Sequence, residues 1–298
     1  MKTGIHTLSF DEYRAVDAIH ISQLKAMARS PLHFKHNLDN PRKPSAAMLI
    51  GTAVHHAILE PDKFASDYTT IPDMPTRSKA DKEAFAARCI EIAGDRITPD
   101  EIDTFNFSNE EGRSHFFTTL EKRGMTILRE SDYNDVVAMR DTVLSNTTAG
   151  WFAKIDGICE ASAFWTDIHT GVQCCARFDK LIESHRFIVE IKTTVDAREH
   201  EFMRDSASYG YGLQAAWYLW GAKEITGKAH THVTIAVENT APFGVSVFVL
   251  DNASLEHSYA RNRQLLAQYA ECRKSGIWPG YPDKAVQVSL PKWELNKQ

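Results

Sequence analysis

Apolar and polar positions change rhythm near Gly150. Before it the chain reads as helices joined by loops. Ile21 to Arg29 predicts a short helix that stops at Ser30-Pro31, where proline resists continuation. Asn40 to Pro44 reads as a loop. Ala46 to Glu60 is apolar and free of proline until Pro61, which predicts a buried helix. Ser78 to Ala93 reads as a charged surface helix. Ser131 to Ser145 reads as an amphipathic one, with Val136, Val137, Met139 and Val143 on or near one face.

After Gly150 the segments shorten and become β-prone. Ile158 to Trp165, Gln173 to Ile182 and Phe187 to Thr193 predict three strands. A helix over roughly Ser206 to Gly221 follows, then strands at His232 to Glu238 and Val245 to Leu250, then a long helix from Ala253 to Ser275. Trp278 to Pro282 reads as a rigid, irregular segment. The order α-β-β-β-α-β-β-α predicts an α/β (α+β) protein, a mixed sheet with helices packed on it, behind a helical N-terminal region. We read residues 1–298 as one domain: a helical part over 1–130, a core over 131–275 and a tail over 276–298.

Composition narrows the class. The 43% hydrophobic and 24% charged residues are ordinary globular values and argue against a disordered or fibrous chain. A net charge of -5 excludes a wholly basic nucleic-acid coat but leaves room for a local basic cleft. The first sixty residues hold 7 Lys and Arg against 5 Asp and Glu, whereas residues 61–140 hold 11 against 16. A polyanion would therefore meet the N-terminal region, with Lys25, Arg29 and Lys35 as candidate DNA contacts. Five scattered cysteines with no C-x-x-C support neither a disulfide framework nor a zinc or iron–sulfur site. No membrane span and no secretory signal is visible, so a cytoplasmic protein is expected.

The chemistry concentrates in Asp179 and in Glu190-Ile191-Lys192. Strand alternation puts Glu190 and Lys192 on one face and Val189 and Ile191 on the other. A tight hairpin would bring Asp179 beside Glu190. Two convergent carboxylates make a hard oxygen site for Mg²⁺ or Mn²⁺, and a nearby lysine can orient and help deprotonate a bound water. A lone D…E-x-K match is usually a solvated hairpin. Here both strands are nearly apolar otherwise, so these side chains face a core or cleft. On the next helix Gln214 and Tyr218, four apart, point the same way. In Gly51-Thr52-Ala53-Val54-His55-His56, His55 either fills a core or reaches a metal from the opposite wall. His56 points about 100° away around the helix.

Taken in order, GTAVHHAILEPDKF, D…E-I-K and Q-x-x-x-Y resemble the PD-(D/E)XK nuclease superfamily in its RecB-like branch. The run is most similar to RecE-like phage exonucleases, and the likeness extends from Ile21 to Trp293, including SLPKWE near the end. The resemblance implies a restriction-endonuclease-like fold. It implies a Mg²⁺-dependent exonuclease, with Mn²⁺ as a substitute and two ions per site. Such an enzyme would degrade one strand of duplex DNA 5′→3′ beside a RecT-like single-strand annealing protein. Carried over, Asp179 and Glu190 become metal carboxylates and Lys192 the water-positioning base. His55, the Ile191 carbonyl and Glu160 become further ligands, and Gln214 and Tyr218 steady the site. Phe178 stands where the family nominally has proline. The resemblance further implies a ring-shaped homo-oligomer, a tetramer in preference to a trimer. The Ala253 to Ser275 helix and the acidic stretch Asp100 to Glu111 are candidate contact surfaces. An endonuclease on the same scaffold and a non-catalytic DNA-binding subunit are the alternatives.

Overall fold

The structure is a computed structural model describing residues 2–41, 43–291 and 295, the side chain of Pro99 excepted. Lys292, Trp293 and Glu294 of the SLPKWE run lie outside the described residues. Among the described residues nine strands form two sheets: β1 Gly4–His6, β2 Ile19–His20, β3 Tyr68–Ile71, β4 Thr126–Arg129, β5 Ile158–Thr166, β6 Gln173–Ile182, β7 Phe187–Thr194, β8 Thr231–Glu238 and β9 Val245–Phe248. The main sheet has seven strands in the order β1-β5-β6-β7-β8-β9, with β2 also paired to β6. It is mixed: β7 runs parallel to β8, and β2 parallel to β6, while the other neighbours are antiparallel. The expected α/β sheet flanked by helices is the observed architecture.

Strand alternation sorts the apolar residues onto two faces. On one face Ala161, Ala163, Trp165 and Ile188 pack against Leu24, Met27, Trp217, Leu265 and Leu266 of three helices. On the other, Val189, Ile191, Val233, Ile235 and Val237 meet Ala53, Val54, Ala57, Val136, Met139 and Val143. The Ala46–Leu59 helix starts where the Ser45 hydroxyl accepts the Met48 N–H, and Pro61 opens the next helix.

Four elements depart from the sequence reading. The N-terminal part is not purely helical, because β1 and β2 complete the main sheet. Two- and three-residue strands are too short for any periodicity to show. The Lys79–Ala93 helix is not a surface helix. It buries Phe85, Cys89 and Ala93 against Phe116 and Leu120 in a separate cluster, a match its charged residues conceal. Pro31 ends one helix and immediately starts another, Pro31–Asp39, with Ser30 as its cap. The helix expected over Ser206 to Gly221 is two, Glu199–Tyr209 and Tyr211–Thr226, broken at Gly210 with φ +66°.

The β6 and β7 strands do not stay together. Their ladder spans only Lys180 to Ile182 on β6, and further along β6 pairs β2 at Cys174 and Cys175. Alternation along β6 also breaks at Asp179, since Ala176, Phe178 and Leu181 all pack into one cluster. Across from this point the β5–β6 register is unbroken from Cys159–Lys180 to Ala161–Phe178, which sets Glu160 opposite Asp179, and Glu160 has φ +52°. A left-handed non-glycine costs about 1–2 kcal/mol, and backbone strain of this kind clusters at active sites.

Close packing across the first face gives a test. A methyl group on Gly221 would lie 2.5 Å from the buried Trp165 ring. Gly221→Ala should cost about 1–3 kcal/mol, read as a lower urea midpoint at unchanged slope. An unchanged midpoint would show that the sheet–helix contact is loose.

Candidate active site

Where β6 and β7 part, side chains fill the place of the missing ladder. Asp179 Oδ2 accepts the Ile191 N–H at 2.8 Å, which closes the fork with a carboxylate in place of a backbone carbonyl. His55 enters the same notch from the Ala46–Leu59 helix, with Nε2 2.8 Å from the Ile191 carbonyl and Nδ1 3.4 Å from Asp179 Oδ2. A carbonyl can only accept, so Nε2 carries the proton and Nδ1 turns its lone pair toward the carboxylate. His56 points elsewhere, its Nδ1 2.9 Å from the Tyr68 hydroxyl.

His55, Glu160 and Asp179 each offer a ligand atom, and these atoms lie within 4.8 Å of one another. Three lone-pair acceptors that close repel unless a proton or a cation sits among them. Glu160, left-handed at φ +52°, also has its Oε2 accepting from Arg177 Nε at 2.6 Å. Glu190, buried beside them, accepts from Lys192 Nζ at 2.5 Å and from Gln214 Nε2 at 2.6 Å through one oxygen, Oε1. Its other oxygen, Oε2, is buried without a partner. A buried carboxylate oxygen left bare is costly, and a hard cation would satisfy it. The donor set therefore fits a hard divalent cation.

The charges are mutually tuned. Burial and the Glu190 charge push the Asp179 carboxyl above the usual carboxylate range, with His55 and Lys192 opposing. Burial also pushes Glu190 up, but the Lys192 ammonium brings it net below its ordinary value. Burial lowers Lys192, and Glu190 with Asp179 outweighs it, so this lysine is held as an ammonium. It orients and neutralises here, and it could act as a base only after giving up a proton.

Gln214 also donates to the Tyr218 hydroxyl at 2.9 Å, as their shared helix face predicts. The Ile191 carbonyl, expected as a ligand, already accepts from His55. Of the three basic candidates only Lys25 reaches this cluster. Arg29 donates to the Tyr281 hydroxyl at 3.1 Å and Lys35 pairs with Asp39 at 2.5 Å, so both are engaged within the protein. Three site residues escaped the sequence reading: Arg177, Tyr211 and His232. Lys192 Nζ lies over the Tyr211 ring at 5.2 Å, and the buried His232 has an unpartnered Nε2 on the same face of the sheet as Glu190. Burial and Lys192 lower His232 to about 4, against the pull of Glu190, so its ring is neutral. For His232, alternation with Thr234 and Ala236 was the available signal.

Comparison with known proteins agrees with this geometry. Residues 20–290 match the family model described as "PDDEXK-like domain of unknown function (DUF3799)". The chain belongs to that family. It is thus a nuclease of PD-(D/E)XK type, as the motifs implied. The crystal structure of a protein from Eubacterium rectale, described as a candidate exonuclease, superposes with a TM-score of 0.60 at 11% identity, covering 98% of each chain. At that identity the likeness is one of fold. A phage-related exonuclease from Haemophilus somnus 129PT aligns at 15% identity over 68% of this chain and 90% of its own, with a TM-score of 0.31 too low to carry weight. No curated protein matches the chain.

The raised Asp179 sets a pH dependence in this family member. A carboxyl whose folded-state value lies above its unfolded one favours the fold at low pH, and that contribution is lost as pH rises through the raised value. Without divalent cations, Asp179→Asn should therefore melt several degrees above the parent at about pH 8, converging with it near about pH 4. Equal melting temperatures at both pH values would mean that Asp179 ionises freely.

Proposed function

We propose that the protein is a Mg²⁺-dependent exonuclease that degrades one strand of linear double-stranded DNA. One observation carries this reading: the lone pairs of His55, Glu160 and Asp179 converge beside a bare Glu190 oxygen and a captive Lys192 ammonium. A divalent cation held there would supply charge to polarise a phosphodiester and to activate water at neutral pH. The chain supplies the rest. Asp179, Glu160 and His55 would hold the cation, with the free oxygen of Glu190 as a further candidate ligand. Gln214, braced on Tyr218, fixes the Glu190 carboxylate, and Lys192 stays charged to meet negative charge building on the phosphate. His55 is locked in the correct tautomer by the Ile191 carbonyl, the outer support that metal-bound imidazoles need.

Exonucleolytic action, 5′→3′ polarity, Mn²⁺ as a substitute, two ions per site and cooperation with an annealing protein rest on the resemblance to RecE-like enzymes. A closed ring of identical subunits fits the same reading. A chain of net charge -5 attracts DNA weakly, and a ring that encircles duplex replaces affinity with topology.

End-labelled linear duplex should be degraded with Mg²⁺ and spared with chelator, while closed-circular duplex survives. Cutting of the circle would favour an endonuclease. Glu190→Gln and Asp179→Asn should each lower the rate by at least about a thousandfold. His55→Ala should raise the Mg²⁺ concentration for half-maximal rate about 10–100-fold, with His56→Ala near the parent. Equal metal requirements for the two histidine variants would remove His55 from the site.

A further inference from the structure

We propose that Lys25 belongs to the nuclease centre, where its ammonium holds a non-bridging oxygen of a DNA phosphate next to the bond being cut. This rests on the nuclease reading above and goes beyond it, assigning a substrate contact to the N-terminal helix Ile21–Arg29. The Lys25 stem passes the break between Glu199–Tyr209 and Tyr211–Thr226, where a methyl group on Gly210 would lie 3.3 Å from Cε. Gly210, left-handed at φ +66°, leaves that passage open. The head group then lies over the Tyr211 ring, Nζ 5.7 Å from its centroid, and Lys192 Nζ lies 5.2 Å from the same centroid.

Two ammonium groups thus share one aromatic ring, and their bonding differs. Lys192 is paired with Glu190. Among the described residues Lys25 makes no hydrogen bond and no ion pair, only the ring contact. Glu190 attracts it without bonding it: Oε1 accepts from Lys192 and Gln214, and neither of its oxygens accepts from Lys25 among the described residues. Burial and the Lys192 charge bring Lys25 down to about 8, with Glu190 partly offsetting them. A half-buried cation facing a like charge is unfavourable unless an anion completes it. In a site that binds a phosphodiester, the anion that arrives is the phosphate. Arg29 on the same helix and Lys35 on the next are both engaged within the protein, which sets Lys25 apart from the other two basic candidates.

The test uses the full-length protein and a short fluorescent duplex in EDTA, so that binding is read without cleavage. Lys25→Met should bind on the order of tenfold more weakly and lose about one unit of slope in log K against log salt. Lys25→Arg should recover the slope. The melting temperature of Lys25→Met should equal or exceed the parent's, since an uncompensated cation is gone, and Lys25→Gln serves as a second neutral variant should the first not fold. Parental affinity and slope in a folded neutral variant would overturn the proposal, as would a parent that does not bind duplex. A parent that binds duplex yet never cleaves it with Mg²⁺ overturns the nuclease reading alone, while the Lys25 contact is still judged by the salt slope.

Discussion

A forked β-ladder governs this molecule. Once β6 and β7 separate beyond Lys180 and Val189, the Ile191 N–H and carbonyl lose their strand neighbour on that edge. A buried backbone group without a partner is costly, and the chain resolves this with side chains. Asp179 takes the N–H and His55 takes the carbonyl. The same two bonds fix a carboxylate and an imidazole face to face, so the repair of the sheet and the assembly of the cation site are one event.

Around that fork the protein gathers charges that would each be unfavourable alone. Glu190 is tolerable because Lys192 and Gln214 hold one oxygen, and Lys192 because Glu190 and the Tyr211 ring surround it. Glu160 is tied by Arg177, which also reaches the Leu8 carbonyl and Ser162. Two atoms stay bare in this network, Glu190 Oε2 and His232 Nε2. Networks satisfied except at their reactive edge are what a binding site needs, since the ligand then completes the bonding.

The helices serve this edge. The Ala46–Leu59 helix brings His55 to one wall, and Tyr211–Thr226 brings Gln214 and Tyr218 to the other. Gly210 separates that second helix from its predecessor, which lets the Tyr211 ring and the Lys25 stem meet in the gap. None of the described helices is long and apolar enough to cross a membrane.

Much of this was legible in the residues. Apolar alternation marked β5 to β8, and E-I-K in an apolar strand identified a buried charged pair, because a period of two fixes which side chains share a face. The helical histidine and Q-x-x-x-Y were legible for the same reason, since helix periodicity is local. What the sequence could not carry was everything decided between distant segments. The pairing of two- and three-residue strands, the left-handed backbone at Glu160, the engagement of Arg29 by Tyr281 and the arrival of Lys25 at the Tyr211 ring have no local signature. They depend on which surfaces meet when the chain closes, and only packing in three dimensions settles that.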